Sequence, residues 1–178
     1  MNQIHVQFVK TKIGELILGS FEGKLCLLDF RYRKMRRSVD NRIKNGLNAA
    51  FIEQDDTLLL ETREQLTEYL NRDRKVFNIP LLTVGTDFQK SVWDALQNVP
   101  YGTTSTYLQL AKNIGNEKAV RAVAAANGAN AIGVIIPCHR IIGSDGELVG
   151  YGGGLPVKKR LLKLEQSNRN IVDGKITS

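Results

Sequence analysis

Cys138 stands in the run Pro137-Cys138-His139-Arg140, where a proline fixes the chain ahead of a thiol and two side chains able to carry positive charge follow it. The thiolate is the nucleophilic form of cysteine, and cationic surroundings favour it over the thiol. This setting predicts a reactive thiol. The other cysteine, Cys26, lies inside Lys24-Leu25-Cys26-Leu27-Leu28 and fits the commoner role of a small buried hydrophobe. His139 is the nearest candidate base. Neighbours in an extended segment point to opposite sides, so direct contact with Cys138 is not the default; a water could join them if the backbone turns there. A histidine base also needs an acceptor on its second ring nitrogen. Glu165 is the candidate, since Leu161 and Leu162 precede it by four and three residues and would carry it inward on one helical stripe. A solvated glutamate at a helix end is the ordinary alternative. Metal chemistry finds no support: the only further cysteine and histidine are Cys26 and His5, and no CxxC, HExxH or P-loop pattern occurs.

These residues need elements to position them, and the chain divides into two parts. Ile4, Val6 and Phe8 alternate, Leu16 and Leu18 do the same, and Leu25, Leu27 and Leu28 form a third run, with Gly14, Gly19 and Gly23 between them. Such a pattern predicts short strands joined by hairpin turns. From Arg31 to Arg37 five residues in seven are basic and no apolar face is visible, which reads as a solvated loop or a phosphate contact. Leu58, Leu59, Leu66, Tyr69 and Leu70 predict an amphipathic helix over 57–70, Val76 to Ile79 a short strand, and Pro80 to Gly85 a linker.

Beyond the linker the periodicity is helical. Thr86 and Gln89 form a capping-box pattern, with Phe88, Val92, Trp93 and Leu96 on one face. Pro100-Tyr101-Gly102 predicts a turn. A short helix over 105–114, with Leu108, Leu110 and Ala111 inward, leads through Gly115-Asn116 to a second over 117–127, closed by Gly128. That is the outline of a helix-turn-helix. The second helix is slim, because Ala119, Ala122, Ala124, Ala125 and Ala126 are small; it could approach another surface closely or pack tightly on a neighbouring helix. Ile132 to Ile136 reads as a buried strand or extended segment. Ile141 and Ile142 lead to a turn at 143–146, with Glu147-Leu148-Val149 as a returning strand, and Pro156 opens the last helix at its first position. The expected class is α+β: a small N-terminal α/β domain (1–80), a mainly helical C-terminal domain (81–170) and a flexible tail (171–178).

Lys and Arg number 25 against 18 Asp and Glu, giving a net charge of +7. An anionic partner, above all nucleic acid, suits that balance, although a basic surface can also be uninvolved. Two cysteines in a chain of 178 residues make no disulfide framework. With neither a signal-peptide pattern at the start nor an apolar run of membrane-spanning length, the expected location is the cytoplasm.

Together, Pro137-Cys138-His139-Arg140-Ile141, Val99-Pro100-Tyr101-Gly102, the pair Arg121 and Asn130, and the Tyr151-Gly152-Gly153-Gly154-Leu155 loop before a helix ending Leu161-Leu162-Lys163-Leu164-Glu165 resemble the O6-alkylguanine-DNA alkyltransferase family. The similarity is dense from Phe88 to Glu165 and rests on general layout before Gly85. It implies a ribonuclease H-like first domain and DNA repair by direct reversal. In that reaction a monomer flips O6-alkylguanine out of double-stranded DNA, bound through the minor groove, and takes the alkyl group irreversibly onto Cys138. Activity on O4-alkylthymine stays open, and no metal or organic cofactor is implied. By the same resemblance His139 activates Cys138 through a water, Glu165 orients His139, and Asn130 braces the turn before the active-site segment. Arg121 enters the base stack, on a helix whose Ala119 and Ala122 lie against the DNA, and Tyr107 crowds the adjacent phosphate. Tyr107, Asn127, Ile141, Tyr151 and Gly152 form the pocket, with the Cys138 and Ile141 carbonyls accepting from the guanine amine and the Gly152 N–H supporting O6. Gly152 stands where relatives have serine or alanine and Asn127 where some have a bulkier residue; both departures would widen the pocket. Three rivals remain: a non-catalytic binder of alkylated DNA, which would lack the cysteine, a helix-turn-helix regulator, and a cysteine hydrolase using Cys138, His139 and Glu165.

Overall fold

A computed structural model describes residues 2–169, 171–172 and 175–176. Strands β1 (Asn2–Thr11), β2 (Gly14–Phe21) and β3 (Lys24–Phe30) form an antiparallel meander, as the alternation predicts. Helix α1 (Arg36–Leu47) then crosses over and the chain returns as β4 (Ala49–Glu53), parallel to β1, giving the sheet order β3-β2-β1-β4. The basic run is therefore not a free loop: it ends inside α1, a helix invisible to apolar periodicity because it buries only Val39 and Ile43. Helix α2 (Thr57–Leu70) has the expected limits and is capped by Asp56, whose carboxylate accepts from the Leu59 N–H at 2.8 Å.

Both faces of the sheet are covered. One face packs Ile4, Val6, Ile17, Cys26 and Leu27 against Val39 and Ile43 of α1. On the other, Leu16, Leu18, Leu25 and Leu28 share one core with Leu59, Leu66 and Tyr69 of α2 and with Trp93, Ile132, Ile136 and Leu161 from the second half. The outer edge of β3 is closed by irregular chain rather than a strand. Leu25 N–H donates to Pro80 C=O (2.8 Å), Leu82 N–H to Leu25 C=O (2.9 Å), Leu28 N–H to Ala131 C=O (2.8 Å) and Gly133 N–H to Leu28 C=O (2.7 Å). An unpaired edge would expose backbone donors and acceptors; here both the linker and the segment before Cys138 are fastened to it. The expected strand at 76–79 does not form. Its backbone is held by a side chain, with the Asn78 N–H donating to Gln65 Oε1 at 2.8 Å, and Phe77 packs on Tyr69.

In the second half α3 (Asp87–Leu96) begins with the capping box of Thr86 and Gln89. After β5 (Ser105–Thr106) come α4 (Tyr107–Asn113), a 3-10 turn (Glu117–Ala119) and α5 (Val120–Gly128). Leu110 and Ala111 are the inward residues of α4, whereas Leu108 is only half-buried. Gly128 does not adopt a left-handed cap; α5 ends on Ala129, which stays right-handed at φ −86°. A second 3-10 turn (Cys138–Arg140) leads into β6 (Ile141–Ile142), which pairs in parallel with β5 and not with 147–149; the latter only closes a turn through Gly143 N–H to Glu147 C=O. Helix α6 spans Leu155–Arg169, so Pro156 is its second residue. Most of the expected tail lies outside the described residues; of it, β7 (Ile171–Val172) pairs with β8 (Lys175–Ile176).

Candidate active site

The segment expected as a strand, 132–136, is a tight turn. Val134 sits at φ +67°, a left-handed conformation that a β-branched residue adopts only under constraint. Asn130 supplies the constraint. Its Nδ2 donates to the Ile136 carbonyl at 2.9 Å and to the Ile132 carbonyl at 3.4 Å, while its Oδ1 accepts from the Ile132 N–H at 3.0 Å. The turn delivers Pro137 and then the 3-10 turn that carries Cys138, His139 and Arg140, so the backbone turns at Cys138 and His139 and is not extended there.

Behind Cys138 lies a buried ionic network. His139 is fully buried, and its Nε2 lies 2.7 Å from Glu165 Oε2. The carboxylate is acceptor-only, so Nε2 carries the proton and Nδ1 keeps its lone pair. That Nδ1 has no hydrogen-bond partner among the described residues. Arg140 donates to both oxygens of Glu165, from Nε at 2.8 Å and Nη2 at 3.0 Å, and from Nη1 to the Val99 carbonyl at 2.7 Å. Tyr69, from α2, donates its hydroxyl to Glu165 Oε2 at 2.5 Å. Burial works to raise the Glu165 pKa, but the hydrogen bonds and charges of His139 and Arg140 prevail and hold it at about 2. For His139 burial is the main influence and lowers the pKa, opposed by Glu165 and reinforced by Arg140 and Lys158. The pair is thus a carboxylate and a neutral imidazole.

Cys138 itself opens on a cavity of about 450 Å³. Asn130, Tyr107, Asn127, Tyr151 and Gly152 line it with Cys138, so six of the residues singled out from sequence meet in one place. Three buried polar atoms of its lining lack partners among the described residues, Arg42 Nε, Asn127 Oδ1 and the Tyr151 hydroxyl. Tyr107 is anchored through its hydroxyl to the Val149 carbonyl at 2.9 Å. Ile141 is not in the cavity wall: it is fully buried, and its carbonyl accepts from Lys158 Nζ at 2.5 Å. Arg121 and Ala122 lie on the exposed side of α5 with Ala119 half-buried beside them, while Asn127 and Gly128 at the helix end border the cavity.

The cations near Cys138 are not the ones its sequence neighbours suggest. His139 and Arg140 are committed to Glu165. Burial pushes the Cys138 thiol up; a hydrogen bond from Asn130 lowers it, Asp29 raises it, and the charges of Arg33 and Lys158 lower it. Arg33 and Asp29 come from the first half of the chain and also line the cavity. Arg33 belongs to the basic run that the sequence reads as a solvated loop or a phosphate contact, and nothing in the local sequence marks Asp29. Lys158 carried a readable signal: it begins the stripe continued by Leu161, Leu162 and Glu165, and it is fully buried, with the carbonyls of Ile141, Val149 and Gly150 as acceptors. The widening expected at Gly152 does not occur, because the Arg33 guanidinium occupies the space that a side chain would take. Among the described residues no three His, Cys, Asp or Glu side chains are grouped to hold a metal ion, and no helix is long and apolar enough to cross a membrane.

Comparison with known proteins accounts for both halves. Residues 4–83 match the family described as 6-O-methylguanine DNA methyltransferase, ribonuclease-like domain, and residues 87–167 match 6-O-methylguanine DNA methyltransferase, DNA binding domain. A methylated-DNA–protein-cysteine methyltransferase of Methanosarcina acetivorans is 42% identical over 158 residues, covering 89% of this chain and 96% of the relative. The crystal structure of Mycobacterium tuberculosis O6-methylguanine methyltransferase superposes with a TM-score of 0.79 at 36% identity, covering 93% of this chain and 94% of that one. The complex of the same bacterium's protein with DNA gives 0.79 at 35% identity, covering 92% and 94%. With matched regions spanning nearly the whole chain, this protein belongs to the 6-O-methylguanine DNA methyltransferase family.

Proposed function

We propose that this chain repairs DNA by direct reversal, taking the alkyl group of O6-alkylguanine in double-stranded DNA onto Cys138 in a single irreversible transfer. The observation that carries the reading is the pairing of the buried His139–Glu165 dyad, its Nδ1 unpaired, with a cysteine that opens on a cavity. At neutral pH burial keeps Cys138 a thiol, so the reaction needs a base. A water between Cys138 and His139 would pass the thiol proton to Nδ1, and Glu165 would stabilise the imidazolium so formed. The thiolate attacks the alkyl carbon, the carbon–oxygen bond breaks with its electrons left on O6, and the proton returns to the guanine ring. Asn127 Oδ1 and the Tyr151 hydroxyl offer polar contacts to the base edge.

Cys138 is 8% exposed, out of reach of a base stacked in a duplex, so the nucleotide must be extruded. The slim outer face of α5, with Ala119 and Ala122, suits close approach in the minor groove, and Arg121 is placed to fill the vacated stack. Basic side chains on the surface would supply phosphate contacts without sequence preference.

Intact-mass measurement before and after excess O6-methylguanine duplex tests the reaction. One methyl group should appear per molecule, on the peptide containing Cys138, and transfer should then stop. Sustained turnover with the protein recovered unmodified refutes it. For the DNA mode, Arg121→Ala should slow repair of duplex more than of single strands, where no partner base is orphaned. Equal losses on both would reduce Arg121 to a phosphate contact.

A further inference from the structure

Between β3 and α1 the chain folds against the glycine loop of the other half. A Cβ at Gly153 would fall 2.5 Å from the Phe30 ring, and one at Gly152 would fall 2.8 Å from Arg33 Nη1 and 2.9 Å from its Cζ. Arg33 is not a loose surface side chain, being only 9% exposed. Its Nη1 donates to Asp29 at 3.1 and 3.3 Å, and its Nη2 to the Gly128 carbonyl at 2.7 Å, at the end of α5. Asp29 is 3% exposed and also pairs with Arg36 at 2.9 Å. The guanidinium is thus tied at both ends across the seam between domains, and it shares the cavity with Cys138, Asn127 and Tyr151.

We propose that Arg33 is a specificity-determining residue, a wall lent by the first domain that lets small alkyl groups reach Cys138 and holds out bulky ones. The proposal rests on the alkyl-transfer reading above. An arginine pinned on a buried carboxylate yields poorly, since displacement leaves that charge with one partner fewer. Pocket identity at position 152 is accordingly shared between two residues distant in sequence. Glycine there makes room for Arg33, not for substrate.

The test compares the rates at which Cys138 takes benzyl and methyl groups from O6-benzylguanine and O6-methylguanine oligonucleotides. Arg33→Ala should raise the benzyl-to-methyl ratio roughly tenfold, the scale on which pocket volume discriminates. Gly152→Ala should change the ratio in the parent protein, where it must push Arg33 aside, and change it little in the Arg33→Ala background. An unchanged ratio in folded Arg33→Ala overturns the proposal while leaving the function intact. If the parent protein transfers neither group, the function fails instead. The wall is then read by labelling Cys138 with iodoacetamide against a bulky aryl maleimide: a ratio shifted toward the maleimide in Arg33→Ala supports the wall, and an unchanged one removes it.

Discussion

Cys26 and Cys138 are both buried, at 1% and 8% exposure, and burial pushes both thiols up, that of Cys26 to about 12. Their surroundings nonetheless prepare them for different fates. Cys26 lies in β3 under α1, its Sγ near the Gly19 carbonyl at 3.5 Å, among Ile4, Ile17, Leu27 and Val39. Cys138 leaves the regular ladder altogether. A strained turn at Val134, braced by Asn130, sets it on a cavity wall with a neutral imidazole next in sequence and two cations, Arg33 and Lys158, acting on it. Neither exposure nor a low resting pKa separates the two thiols. The difference is access to a cavity and a base able to take the proton at the moment of reaction. A strand offers neither, because its side chains are fixed by the pleat and its backbone is used up in pairing.

The sharpest way to break this contrast is to remove each sulfur in turn. Cys138→Ala should abolish alkyl transfer while retaining affinity for DNA; Cys26→Ala should leave transfer intact. Mass spectrometry of the protein after exposure to methylated duplex decides it, and any alkyl group on Cys26 would erase the distinction drawn here. A smaller effect isolates the base. Glu165→Gln keeps the side chain's size but removes the charge that stabilises a protonated His139, so transfer should slow by roughly 10²–10⁴, the usual scale of general-base assistance. The stoichiometry should stay at one. Single-turnover rates in the variant equal to the parent's would mean that Cys138 reacts without the dyad.

Much of this was legible from residue order, and the illegible parts have physical causes. Strands β1 and β2 announce themselves by alternation, β3 by its apolar run, α2 by its apolar stripe, and α3 by Thr86 and Gln89. Glu165 could be placed inward from Leu161 and Leu162 alone. Helix α1 could not be seen, since two buried residues one turn apart make no periodic signal in a basic run. The turn at 132–136 reads as a strand or extended segment because all its residues but Gly133 are β-branched; only the tertiary fit of Asn130 makes a left-handed valine acceptable. Arg33 and Tyr69 reach the site from the first half of the chain, and such contacts depend on how the two halves dock, not on local pattern. The residues that follow Cys138 in sequence, His139 and Arg140, are turned by the fold toward Glu165 and not toward the thiol.

The most subtle contrast between the regions is their response to acid. Glu165 has a pKa of about 2 in the folded chain against an ordinary 4.5, so its stabilisation is fully present above pH 4.5 and is lost as pH falls toward 2. A shift of that size corresponds to about 3 kcal/mol at most. His139 adds to it with the same sign: its folded pKa lies below 6.5, the unfolded chain therefore binds that proton first, and stability falls as pH drops below 6.5. Asp29, on the seam with the first domain, acts the other way, because burial raises its pKa above 3.8 despite Arg33 and Arg36, and acid relieves that cost. Urea midpoints between pH 7 and pH 3 should accordingly fall for the parent protein, with the C-terminal dyad responsible. Glu165→Gln should start lower at pH 7, since it strips Arg140 and His139 of their partner, and should close on the parent curve only below pH 4.5, where the parent's carboxylate begins to take up its proton. Two curves that stay parallel throughout would show that Glu165 contributes no acid sensitivity, and the ionised state of Glu165 on which the mechanism depends would have to be abandoned.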